Sequence, residues 1–251
     1  MKLKNALMQL FIENMNAQPR TPLTVKNEGD EATVFIYDAI GGYFGIDAQE
    51  FAVEFAKIDA SVINLRINSP GGDVFDARAM QTTIAQHPAK VIAHIDGLAA
   101  SAATYLCAPC DQVIIAQGAG YMIHNGWSLG IGNRHDHRQL ADLLEQVDAG
   151  IANDYLNLTN DDIDLAKINA WMDAEKWFTA DEAVANGFAT SVFNYADTTE
   201  NKKTWNLSAY NNLPAWMETP TEDPKESAKA VAAAQRAAND RKLRLLERAG
   251  S

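Results

Sequence analysis

Ser101 stands in Asp96-Gly97-Leu98-Ala99-Ala100-Ser101-Ala102-Ala103, a run whose side chains are too small to cover its hydroxyl. Asn68-Ser69-Pro70-Gly71-Gly72 precedes this run and Met122-Ile123-His124-Asn125 follows it. A serine hydroxyl is a weak nucleophile at neutral pH and needs a base to take its proton as it attacks. His124 follows the apolar Tyr121-Met122-Ile123, which reads as a buried strand ending at a loop, where functional side chains are commonly presented. Attack on an acyl group creates an oxyanion, and two backbone N–H groups aimed at it would stabilise it. Gly71-Gly72 can turn one N–H outward where any side chain would obstruct a substrate, and Ala102 can supply the other. Singly, these signals are ordinary: Pro-Gly-Gly is a common turn, and a histidine after a strand is more often a core residue bonded to backbone. Together they read as a nucleophile, an oxyanion hole and a base.

The remaining histidines are weaker candidates. His94 falls inside a strand pattern and reads as structural, and His87, His135 and His137 fall in polar turns and read as solvated. Cys107 and Cys110 form one Cys-x-x-Cys with no second pair and no adjacent histidine, so a zinc site is not expected. Nothing basic lies beside them to create a reactive thiolate, and they read as packing residues suited to a reducing cytoplasm. No metal and no organic cofactor is expected.

The elements that must position Ser101 follow from hydrophobic patterning. Ala32–Tyr37, Val62–Ile67, Val91–Asp96 and Gln112–Ile115 are short runs rich in Val and Ile. Helical patterns over Asp47–Ile58 and Asp73–Gln86 separate the first three, which makes an α/β protein with a largely parallel sheet. A long polar amphipathic helix is expected from about Asp136 to Leu158, with Leu140, Leu143, Leu144, Val147, Ile151 and Tyr155 on one stripe. It follows the glycine-rich turn Ser128–Asn133, so the stripe can project towards another subunit or cover the parent core. Residues 1–30 read as a short helix and polar linker, 31–196 as the core domain, and 197–251 as a polar linker followed by an Ala-rich, charged helical tail.

Composition narrows the function classes. The 251 residues are 47% hydrophobic, enough for a sizeable core, and the formal charge of −12 argues against nucleic-acid or anionic-membrane partners. No stretch approaches the roughly 20 apolar residues of a membrane span. No Gly-x-x-x-x-Gly-Lys motif is present, so any ATP use resides in another chain.

Ile67-Asn68-Ser69-Pro70-Gly71-Gly72, Ala99-Ala100-Ser101-Ala102-Ala103, Met122-Ile123-His124 and the segment Phe178-Thr179-Ala180-Asp181-Glu182-Ala183-Val184-Ala185-Asn186-Gly187-Phe188 occur in the order seen in Clp protease proteolytic subunits. Over about 31–196 the chain resembles that family, and it looks closest to the phage and prophage branch, the ClpP-like head maturation proteases. The long appendages and the variant motif around Trp177 are the cues to that branch. The resemblance implies a ClpP/crotonase-like ββα superhelix with a projecting handle helix and N- and C-terminal appendages.

It also implies roles. Ser101 takes the nucleophile position and His124 the general base, with Gly72 and Ala102 in the oxyanion-hole positions. Gapless alignment of Trp177-Phe178-Thr179-Ala180 places Glu175 where the family usually has its catalytic aspartate, with Asp173 the rival if the register differs. Extended substrate would pair along Gly71, Gly72, Asp73 and Val74 on one side and Asn125, Gly126 and Trp127 on the other. The implied protein is a serine endopeptidase in homo-oligomeric, stacked rings, acting on scaffold or capsid polypeptides in the host cytoplasm or inside the prohead. Two alternatives remain at this point: a host-type peptidase working with a separate unfolding ATPase, and a catalytically idle assembly protein on the same fold.

Overall fold

The computed structural model describes residues 23–42 and 45–194, together with Asn212 and Pro214. The expected N-terminal helix and C-terminal helical tail lie outside the described residues.

Eight strands form one mixed sheet. The hairpin β1 (Thr24–Glu28) and β2 (Glu31–Ile36) is antiparallel, and β2, β3 (Val62–Ser69), β4 (Lys90–Ala100) and β5 (Gln112–Ala116) then run parallel. β4 is long enough to serve two neighbours. Its first half pairs with β5, while Leu98–Ala100 pair with β6 (Gly120–Ile123), which in turn pairs antiparallel with β7 (Lys176–Phe178). β8 (Ser191–Phe193) closes the edge beside β5.

Two helices lie in the crossovers. In α1 (Ala48–Phe55), Asp47 accepts from the N–H groups of Gln49 and Glu50, and Phe51 and Phe55 stack and are fully buried. In α2 (Val74–Ala85), Asp73 caps the N-terminus in the same way and Ala77, Met80 and Ile84 are buried. Strand residues alternate to match: Val34, Ile36, Ile63, Leu65, Ile67, Val91, Ala93 and Ile95 are buried. Burying each large side chain of this set contributes about 1.5–3 kcal/mol, so the sheet and its two helices form a core that holds the ends of β3 and β4 in place.

Later elements build the other side of the site. α3 (Arg134–Leu156) opens on an Asn133–Asp136 capping box and packs against α4 (Leu165–Asp173), and α5 (Ala180–Ala185) opens on a second box between Thr179 and Glu182.

Several expectations need correction. Thr24–Glu28, assigned from sequence to the linker, are a strand of the sheet, because Gly29 at φ 68° turns the chain in two residues onto β2. The long helix starts two residues earlier than expected and ends at Leu156, since Asn133 provides the cap. His135 and His137 sit in its first turns rather than in a polar turn. His87 is not merely solvated: its Nε2 is 3.2 Å from the carbonyl of Ile58, and its ring meets Phe55 edge-on. His94 is structural as expected, 3.0 Å from Asn64 Oδ1. Cys107 and Cys110 follow a short 3-10 helix, and burial pushes the Cys107 thiol up to about 12, opposite to what a redox thiolate needs.

Candidate active site

β4 ends in the buried Ala99 and Ala100, and the chain turns into a 3-10 helix over Ser101–Leu106. Ser101 makes that turn with φ 53°, a conformation that costs a non-glycine residue energy and persists only where its surroundings hold it. Here Thr104 Oγ1 donates to the Ser101 carbonyl at 2.6 Å and lies 2.7 Å from the buried hydroxyl of Tyr155 in α3. Ala99, Ala100, Ala102 and Ala103 are all nearly or fully inaccessible, so the small-residue run fits a space that larger side chains could not enter.

The next residue after β6 is His124, and its Nε2 lies 2.7 Å from Ser101 Oγ. The approach follows from pairing: Ala100 lies opposite Met122, so the residues just beyond each strand end meet. Burial pulls the His124 imidazole down to about 4, which keeps it neutral at pH 7. A neutral imidazole with its proton on Nδ1 offers Nε2 as an acceptor for the serine proton.

The glycine pair lies across from the serine. Gly71 and Gly72 have φ of 90° and 151°, and a β-carbon on Gly72 would run into the carbonyl oxygen of Ile40. Ile40 clamps this turn with two bonds, its N–H donating to Gly71 O at 2.9 Å and its carbonyl accepting from Asp73 N–H at 3.0 Å. Neither bond uses the Gly72 N–H. The Ala102 N–H is in the first turn of the 3-10 helix, where no intrahelical acceptor precedes it.

Asp73 has an extended backbone and its side chain caps α2, of which Val74 is the first residue. On the other side, Gly126 donates its N–H to Asp148 of α3 at 2.6 Å and is therefore tied to the helix. Asn125 donates through Nδ2 to Asp173 Oδ1 at 2.8 Å.

The two acids thus have different surroundings. Asp173, the last residue of α4, holds Asn125. Glu175 precedes β7, and one step beyond the terminal pair of Ile123 with Lys176 the two strands continue to His124 and Glu175. Among the described residues, Ser101 and Glu175 are the two non-glycine residues with positive φ. Glu175 Oε1 accepts the backbone N–H of Asn212 at 3.0 Å. Thr104, Asp148 and Asn212 are not singled out by sequence, and Tyr155 is expected only as part of the apolar stripe of α3. For Thr104 the three-residue spacing after Ser101 was a usable signal, whereas the others arrive from remote segments.

The model of the Clp protease family matches residues 30–196. The chain belongs to the Clp protease family. No curated protein matches the chain. Clp protease family members are peptidases that form oligomeric rings and act on polypeptides, and the mixed α/β sheet described above agrees with membership.

Proposed function

We propose that this Clp protease family member is a serine endopeptidase that hydrolyses polypeptides through an acyl-enzyme. The observation that carries the reading is the 2.7 Å approach of His124 Nε2 to Ser101 Oγ. Ser101 Oγ attacks the scissile carbonyl carbon while His124 takes its proton, and the N–H groups of Gly72 and Ala102 receive the oxyanion. His124 then protonates the leaving amine, and water, activated by the same imidazole, releases the acyl group. Glu175 is the acid that orients the imidazole and stabilises the imidazolium, and the β6–β7 register favours it over Asp173. With Gly126 tied to Asp148, the pairing edge for an extended substrate after His124 falls to Asn125 and Trp127.

The biological role we propose is cleavage of scaffold or capsid polypeptides during phage prohead maturation, by homo-oligomeric rings in the host cytoplasm or inside the prohead. The Trp177 motif and the long appendages support this branch of the family. The ring reading draws support from Trp127, Leu129, Ile131 and Leu143, all large apolar side chains that are exposed in the chain by itself.

Treatment with a fluorophosphonate probe tests the chemistry. Labelling of the wild type and none of Ser101→Ala is expected, and an unlabelled wild-type oligomer would overturn it in favour of an idle assembly protein. Co-expression with candidate scaffold and capsid proteins tests the role. Ser101-dependent cleavage is expected there, and its absence would leave a peptidase fed by a separate unfolding ATPase.

A further inference from the structure

Asn212 lies 37 residues beyond Glu175 and past the last strand, yet it returns to the end of β7 that faces the active site. Its backbone N–H donates to Glu175 Oε1 at 3.0 Å, and its Nδ2 donates to the carbonyl of Ala174 at 2.9 Å. Both acceptors have a need for the donor. Ala174 is the C-cap of α4, where the last carbonyls lack intrahelical partners. Glu175 holds φ 50°, which a residue with a β-carbon keeps only under outside restraint.

We propose that Asn212 is a positioning residue for the active site: its two donors clamp the Ala174–Glu175 turn and fix one carboxylate oxygen, reserving Oε2 for the His124 imidazole. The inference rests on the reading of Glu175 as the triad acid. A glutamate has one more rotatable bond than an aspartate, and a carboxylate with that freedom holds an imidazole poorly unless something else orders it. The Asn212 backbone N–H on Oε1 supplies that order. Asn212 therefore completes the site, although it falls in a stretch that reads from sequence as an appendage. Its contribution passes through Glu175 and does not touch the substrate.

The test uses the full chain and the rate of fluorophosphonate labelling of Ser101 across pH. Asn212→Pro removes both donors, and Asn212→Ala leaves the backbone N–H. For Asn212→Pro the rate is expected to fall roughly tenfold, with the acid limb of the profile moved to lower pH because the imidazolium loses support. Asn212→Ala should show a smaller change in the same direction. A wild-type rate and an unmoved limb in Asn212→Pro would overturn the proposal, as would a slower rate accompanied only by a lower melting temperature. Should Asn212→Pro fail to fold, Asn212→Asp decides, since it sets a carboxylate against Ala174 O and Glu175, and a wild-type profile there would overturn the clamp. Glu175→Gln separates the two claims. Wild-type labelling of Glu175→Gln would sink the acid assignment itself, whereas a slow Glu175→Gln beside an unaffected Asn212→Pro would sink the clamp alone.

Discussion

A β-carbon added to Gly71 would fall 2.9 Å from the Cβ of Ser101 and 2.5 Å from the carbonyl oxygen of Ala100. The two loops of the site are thus packed backbone against backbone, and the approach excludes every side chain at position 71. Gly71→Ala is expected to lower labelling of Ser101 by at least about 100-fold, through displacement of the oxyanion donors. It should also lower the melting temperature, because neither carbonyl nor serine backbone can retreat without disturbing β4. Labelling kinetics and a thermal melt on the same sample check both parts.

His124 is expected to leave a signature in the pH dependence of stability. Its folded value of about 4 lies below the ordinary unfolded value of 6.5, so the unfolded state binds more protons between these limits. The contribution is complete above pH 6.5 and is lost as pH falls towards 4, amounting to about 3 kcal/mol. In urea melts from pH 8 to 4.5 the wild type should lose more stability than His124→Asn as the pH falls. Parallel curves would show that burial does not hold the imidazole neutral.

On the sheet face away from α1 and α2, Tyr37 donates its hydroxyl to Asp96 Oδ2 at 2.6 Å, and Arg66 donates through Nε to the same oxygen at 2.9 Å. Burial and the Asp96 charge push the Tyr37 phenol up to about 12, so it remains a donor throughout the physiological range. Tyr37→Phe is expected to cost about 1 kcal/mol in urea unfolding. Asp96→Ala should cost more, about 2 kcal/mol, because it leaves the half-buried guanidinium and phenol without their shared acceptor.

The N-terminal half of α3 is mostly exposed in the single chain, and Ile131, just before it, is fully exposed. The double variant Ile131→Asp with Leu143→Asp is expected to reduce particle size in light scattering while leaving the melt of the dissociated chain unchanged. A particle of unaltered size would remove this surface from the ring contacts.

The same helix shows how far patterning alone reaches. Leu140, Leu143, Leu144, Val147, Ile151 and Tyr155 share one stripe, and from sequence that stripe could cover the parent core or another subunit. Ile151 and Tyr155 are buried in the chain's own core, whereas Leu143 is exposed, so the stripe covers that core only along its C-terminal part. Periodicity reports which residues share a face, but not how far along its axis a helix meets its own core. β1 was missed for a related reason, since its pairing depends on Gly29 folding it back onto β2 rather than on its own modest apolar content.

What the sequence by itself determined is the local chemistry: a serine among residues too small to cover it, a glycine pair ahead of a capped helix, and a histidine after a buried strand. Each depends on residue types within a few positions, where steric size, capping and alternation act directly. Only the tertiary structure decided which groups meet across the chain. The β4–β6 pairing sets His124 Nε2 against Ser101 Oγ, and the β6–β7 register puts Glu175 one step beyond the Ile123–Lys176 pair while Asp173 bonds Asn125. Asn212 likewise reaches Glu175 only through the path of the folded chain. A side chain's identity is local, but its partner is set by strand register and by loop closure over tens of residues.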